Sequence, residues 1–209
     1  MAHSKLPGAG TSSFDLVDHE LVFRELGLDT NKVFLDLGCG AGDYAIAAAE
    51  KMGPQGLVYA VDGWSEGIDM LGRRTLNKNL SNITTFVALV TSHVPLPDNS
   101  VDICLMATVL HDFARDGGEQ QALRETARVL RQGGVLGIVE FKKIDGPPGP
   151  PIHIRLTADQ VESMIQPFGF HRIKTLDVGP FTYCITASMT KGKTKLPDES
   201  LAGPFRAAP

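Results

Sequence analysis

The sequence predicts an α/β protein: a doubly wound sheet of seven strands, mostly parallel with one antiparallel strand. Three observations predict it. Short apolar runs alternate with helical stretches along most of the chain. The first run, Val33 to Leu37, leads at once into Gly38, Gly40 and Gly42 and then a good helix former, Ala45 to Ala49. The last two runs, His171 to Val178 and Phe181 to Ala187, are separated only by Gly179-Pro180, a joint short enough for an antiparallel pair.

The elements follow in order. Residues 1 to 12 are small and polar, a segment expected to be mobile. Ser12 or Ser13 is placed to cap a short helix beginning near Asp15 or Asp18, with Leu21, Val22, Leu26 and Leu28 as its stripe and Gly27 as its end. Phe14 either folds over the crevice at the sheet end or staples the following helix. Strand one is Val33 to Leu37, and the next helix runs from Asp43 to Met52, where Gly53-Pro54 stops it. Strand two is Leu57 to Val61, then a helix runs from Ser65 or Glu66 to Asn79, and strand three is Ile83 to Leu89. A proline-rich loop, 91 to 100, leads to strand four, Val101 to Met106, whose continuous apolar character suits a strand covered on both faces. A helix from Gly118 or Glu119 to Leu130 is expected to end on the glycines of Arg131-Gln-Gly-Gly134, followed by strand five, Val135 to Phe141. Asp145 to Pro151 is a stiff connection, with His153 and Arg155 beside it as candidate substrate contacts. Thr157 caps a helix over Ala158 to Pro167. The domain is expected over residues 1–190, with 191–209 a polar, disordered tail whose Phe205 has no evident partner.

The glycine turn is the chemical centre. Strand, glycine turn and helix bring backbone N–H groups to a bound ligand. The spacing G-x-G-x-G departs from the G-x-G-x-x-G that receives a dinucleotide pyrophosphate. Asp36, two residues before the first glycine, would repel a pyrophosphate and attract an ammonium. S-adenosylmethionine carries that ammonium, a carboxylate for the amides and a ribose diol. Asp62, twenty residues after Gly42, suits a ribose diol in either cofactor class. Trp64 either stacks beside an adenine or covers the sheet end. After strand four, His111 and Asp112 fall at the carboxyl end of the sheet, where ligands lie. His111 is the candidate general base, because its ordinary pKa is near working pH; fixing a loop or lining a pocket are its other readings.

Composition excludes other classes. A net charge of −4 draws the chain to neither nucleic acid nor an anionic membrane surface. No apolar run approaches the roughly 18 residues of a membrane span, and no signal-peptide core is seen. Three scattered cysteines, Cys39, Cys104 and Cys184, read as reduced thiols in a cytoplasmic protein. Oligomeric state has no signal in the sequence.

The chain resembles the class I S-adenosylmethionine-dependent methyltransferases, within them the small single-domain, ubiquinone-biosynthesis-type or type 11 branch. The resemblance covers about Leu26 to Ser188 and rests on four stretches. They are Leu35-Asp-Leu-Gly-Cys-Gly-Ala-Gly42, Val58-Tyr-Ala-Val-Asp62, Leu96-Pro-Asp-Asn-Ser-Val-Asp102 and Leu130-Arg-Gln-Gly-Gly134. It implies a Rossmann-like methyltransferase fold, S-adenosyl-L-methionine as cofactor and a small-molecule acceptor. It implies that Asp36 holds the methionine ammonium, that Gly38, Cys39 and Gly40 give backbone contacts, and that Asp62 grips the ribose. Gly63 and Trp64 would flank the adenine. Many members carry an acid after strand three for the adenine amino group; here the stretch is Leu89-Val90-Thr91, so that role falls to the backbone at Val90, or to Thr91 or Ser92. Two rival readings are a catalytically silent cofactor-binding module and a nicotinamide-dependent oxidoreductase.

Overall fold

The computed structural model describes residues 10–190. The expectations for the segments 1–9 and 191–209, Phe205 included, lie outside the described residues. Seven strands form one sheet in the order β3-β2-β1-β4-β5-β7-β6. They are β1 (Val33–Leu37), β2 (Leu57–Asp62), β3 (Ile83–Val87), β4 (Val101–Ala107), β5 (Leu130–Phe141), β6 (Phe170–Asp177) and β7 (Thr182–Met189). Neighbours from β3 to β5 pair in parallel. β7 runs antiparallel to both β5 and β6, so it is the single antiparallel strand. The reversal of strand order lies between β1 and β4, which opens a crevice outside their carboxyl ends.

Side chains alternate across each strand, and the two faces bury different sets. Phe34, Ile103, Leu105 and Val139 pack with α1 (His19–Glu25), α2 (Asp43–Met52) and Leu71 of α3 (Ser65–Asn77). Leu35, Leu37, Cys104, Met106 and Ile138 pack with α4 (Leu110–Asp116), α5 (Glu119–Val129) and α6 (Ala158–Ile165). Phe34 is fully buried with Phe23 edge-on at 5.9 Å, and a side chain of this size contributes roughly 1.5–3 kcal/mol by burial.

Local chemistry explains the ends. Asp18 caps α1 by accepting from the Leu21 amide at 2.9 Å, and Phe14–Leu16 ahead of it is one 3-10 turn. Thr157 and Gln160 cap α6 reciprocally. α6 stops at Ile165, two residues ahead of the expected Pro167, and Gln166–Phe168 continues as a 3-10 turn. β3 stops at Val87 and α3 at Asn77, each two residues earlier than the sequence suggests. Two differences are larger. α5 does not end on glycine: Leu130 is already extended and begins β5, whose pairing with β4 is broken by an irregularity between Val101 and Ile103 before Val135. Gly133, with φ 74°, sits inside that irregular segment. α4 was not anticipated; it has seven residues and no side-chain cap, so it leaves no signal in hydrophobic period.

Candidate functional site

β1 delivers Asp36 into the interior, where it is 1% exposed. Its Oδ2 is buried and has no hydrogen-bond partner. Burial pushes the Asp36 pKa up to about 8; the Ala45 backbone amide opposes that push, and the Asp62 and Asp43 carboxylates add to it. Immediately after β1 the chain turns through Gly38 and Gly40, both with positive φ (79° and 55°), a region costly for other residues. A Cβ on Gly38 would lie 2.8 Å from Val109 of the β4–α4 turn, so the glycine lets the two turns touch. A Cβ on Gly40 would meet nothing within 4 Å; that side of the loop is open.

One face of α3 buttresses the loop at helical spacing. A Cβ on Gly67 would lie 2.8 Å from the Gly40 carbonyl oxygen, Leu71 packs on Gly42, and Arg74 donates to the Ala41 carbonyl at 2.7 Å. Arg74 also pairs with Asp43 at 2.8 Å. Asp62, at the end of β2, accepts from the Gly40 amide at 2.8 Å through Oδ2 and from the Trp64 amide at 2.7 Å through Oδ1. The second acid and the glycine loop are therefore one unit, with Gly63 between Asp62 and the Trp64 amide. The Trp64 ring lies over Gly67, on the side of the loop that α3 supports. The Cys39 thiol is held well above its usual range by burial and by Asp36 and Asp62, so it is an un-ionised lining group.

Val90 is 5% exposed and its side chain lies in the apolar core, leaving only its backbone for a ligand. Thr91 packs on Gly118 at the start of α5. Phe14 stacks on His19 at 4.2 Å and meets Tyr44 edge-on at 5.1 Å, so it both staples α1 and lies against the first turn of α2. Ser13, Tyr44 and Thr108 form a hydroxyl chain beside it: Thr108 donates to Ser13 Oγ at 3.0 Å, and Ser13 Oγ lies 3.2 Å from Tyr44 Oη. Thr108 has φ 53°, an outlier for a β-branched residue, at the end of β4 where the crevice begins.

His111 lies past that turn and is 5% exposed. Its Nδ1 is 2.7 Å from Glu140 Oε2, and its backbone amide donates to Glu140 Oε1 at 3.0 Å. Glu140, at the end of β5, is completely buried. The sequence reading missed it; the available signal was a carboxylate inside the otherwise apolar run Val135 to Phe141.

Arg155 differs from its expected role. It is 2% exposed and touches no open crevice. Its guanidinium donates to the carbonyls of Lys142, Ile144, Gly146, Pro148 and Pro150 at 2.6–3.1 Å. The proline-rich strap is thus curled around one side chain, and every second carbonyl faces it. The strap packs on Phe141, where a Cβ at Gly149 would lie 2.7 Å from the ring. His153, by contrast, is exposed.

A cavity of about 380 Å³ opens elsewhere, at the amino ends of β4 and β5, between Lys32, Asp102 and Arg131. Asp102 there already accepts from the Val33 amide and pairs with Arg131, both at 2.8 Å. No group of three metal-ligating side chains occurs among the described residues, and none of their helices is long and apolar enough to cross a membrane.

The decisive comparison concerns the stretch from the glycine turn to β5: the family described as "Methyltransferase domain" matches residues 35–138. The chain belongs to the class I S-adenosylmethionine-dependent methyltransferases, in the type 11 branch. It is 30% identical over 125 residues to a demethylmenaquinone methyltransferase of Lactobacillus johnsonii, covering 60% of this chain and 50% of that one. It is 35% identical over 122 residues to a ubiquinone/menaquinone biosynthesis C-methyltransferase of Cupriavidus taiwanensis, covering 57% and 47%. The chain spans about half the length of these curated relatives. Among solved structures, a SAM-dependent methyltransferase from Aquifex aeolicus aligns with TM-score 0.78 and 27% identity over 89% of this chain and 95% of that one. The [4+2]-cyclase SpnF aligns at TM-score 0.71 with 20% identity, over 92% of this chain and 88% of that one, which is a likeness of fold alone.

Proposed function

We propose that this methyltransferase passes the sulfonium methyl of S-adenosyl-L-methionine to a small-molecule acceptor. The observation that carries the reading is the buried Asp36 carboxylate, whose Oδ2 lacks a partner beside an open glycine loop. A cationic ligand group there would remove the penalty of an unpaired buried oxygen. The cradle fits the cofactor in one further way: the Asp62 carboxylate at the end of β2 suits a ribose diol. Gly38, Cys39 and Gly40 are proposed to pack against the methionine part, their amides being already donated to the Val61 carbonyl and to Asp62 Oδ2. Gly63, Trp64, the Val90 backbone and Thr91 are the proposed adenine surroundings, and His111 is the residue proposed to meet the acceptor.

The bound cofactor supplies an activated methyl group for in-line displacement. What this chain adds is alignment, and well-oriented reactants can gain roughly 7–11 kcal/mol from positioning. Asp36 and the loop fix the donor from β1, while α4 and the strap wall the acceptor side from β4 and β5. The relatives named for quinone C-methylation support an apolar aromatic acceptor. The net charge of −4 argues against nucleic acid as substrate, and three free cysteines suit a cytoplasmic setting.

Calorimetric titration with S-adenosylmethionine, S-adenosylhomocysteine and NADH tests the reading. Binding of the two adenosyl ligands alone is expected, followed by transfer of a labelled methyl group in an acceptor screen. Preference for NADH would overturn the assignment of Asp36. The labelled screen also separates methyl transfer from binding of the cofactor without transfer.

A further inference from the structure

The charges around His111 come from four elements. From β5, Glu140 holds Nδ1 at 2.7 Å and the backbone amide at 3.0 Å, with none of its own surface exposed. From α4, Asp112 Oδ2 stands 3.6 Å from Nε2, longer than a hydrogen bond, while Asp112 Oδ1 is taken by Arg115 at 2.7 Å. From β7, Tyr183 lies opposite Glu140 in register but donates its hydroxyl to the Leu156 carbonyl at 2.8 Å. From the strap, Arg155 spends its donors on carbonyls and so neutralises neither acid. Arg115 is also held by Asp116 at 2.8 and 3.0 Å, so three carboxylates, Glu140, Asp112 and Asp116, stand against one arginine and the His111 ring. Removing the imidazole proton would leave the buried Glu140 without a compensating charge, which is costly.

We propose that His111 remains an imidazolium at neutral pH with Glu140 as its positioning residue, so that Nε2–H donates to an oxygen of the methyl acceptor and does not act as a base. This deepens the methyl-transfer reading and rests on it. The acceptor class follows from the charge: a compound with a carbonyl or anionic oxygen next to the methylated atom, reaching the site already nucleophilic. Its proton is lost to solvent before transfer, because His111 has no vacancy for it. The direction of the His111 pKa agrees. Burial alone would lower it, but the hydrogen bond and charge of Glu140, with Asp112 adding, outweigh that and the opposing Arg115, and raise it.

The test is long-range ¹H–¹⁵N correlation of the histidine rings in the full chain, with His111 assigned by its loss in His111→Gln. At neutral pH both His111 nitrogens should show the protonated pattern, with a titration midpoint above the ordinary histidine value. Glu140→Gln should lower the midpoint by about one unit or more, the size expected for losing a close opposite charge, and leave S-adenosylhomocysteine affinity unchanged. Asp112→Asn should lower it less. A singly protonated His111 in the wild type, or a midpoint unmoved by Glu140→Gln, overturns the proposal. If Glu140→Gln does not fold, the wild-type ring pattern and Asp112→Asn decide alone. Loss of adenosyl-ligand binding by the wild type would instead strike the methyl-transfer reading.

Discussion

The two halves of the carboxyl edge treat a buried ionisable group in opposite ways. On the β1–β2 side, Asp36 is buried with Oδ2 unpaired, and the Gly40 side of the loop is open. On the β4–β5 side, Arg155 is equally buried, yet its guanidinium is met by five carbonyls, and Glu140 is met by both the ring and the amide of His111. An unsatisfied buried group is a standing cost that a ligand can relieve; a satisfied one rigidifies what surrounds it. The first half is built to receive, the second to hold shape.

The largest effect should come from breaking the satisfied half. Arg155→Met orphans a row of carbonyls, and even one buried group left unpaired costs roughly 1–3 kcal/mol. Urea denaturation should show a loss of at least that size, with Arg155→Lys failing to restore it because an ammonium lacks the planar fork. A full recovery by lysine would mean the strap is not shaped by the guanidinium. Next, Asp62→Ala should weaken S-adenosylmethionine binding tenfold or more, roughly 1–3 kcal/mol; an unchanged dissociation constant would remove Asp62 from the site. Fold stability should fall less in this variant than in Arg155→Met.

The unsatisfied half should announce itself in pH. The folded Asp36 holds its proton up to about pH 8, whereas the unfolded chain releases it near the ordinary carboxyl value of roughly 4. Between these values the folded state binds more protons than the unfolded one, so stability without ligand falls as pH rises and levels off above about 8. Asp36→Asn should flatten that slope in thermal melts. Cofactor binding near neutral pH should release a proton, seen as a calorimetric enthalpy that changes with buffer ionisation heat; buffer-independent enthalpy would show that Asp36 stays protonated in the complex. The smallest effect is at Gly40. Gly40→Ala should cost only about 1–2 kcal/mol of backbone strain in the left-handed region, since its Cβ meets no protein atom. Its loss of cofactor affinity should exceed what that strain explains.

The same contrast decides what could be read from the sequence. Asp36, the glycines and Asp62 sit in a local pattern, strand then turn then helix, whose chemistry follows from order and spacing. The strands were legible because continuous apolar runs mark parallel strands covered on both faces, and the antiparallel place of β7 followed from the Gly179-Pro180 joint. The β4–β5 half depends on long-range pairing. Glu140 meets a residue 29 positions earlier, and nothing near it in sequence names that partner. Arg155 looked like a substrate contact because a sequence shows a charge but not the carbonyls that surround it. α4 is too short for a period, and Thr108, at φ 53° just ahead of the Val109 N-cap, adopts a conformation that residue type does not suggest. The side chain of Val90 belongs to the core, so only its backbone faces any ligand that lies there.

The strap has an evolutionary consequence. Its curvature is set by one guanidinium and the main chain, with Asp145 accepting from the Gly146 amide at 2.9 Å, while Lys143 and Ile152 point outward and are exposed. Those outer positions are free to drift without unfolding the wall they stand on. Descendants of this chain can therefore vary the outer surface of the strap while keeping Arg155 and the Asp36 loop untouched.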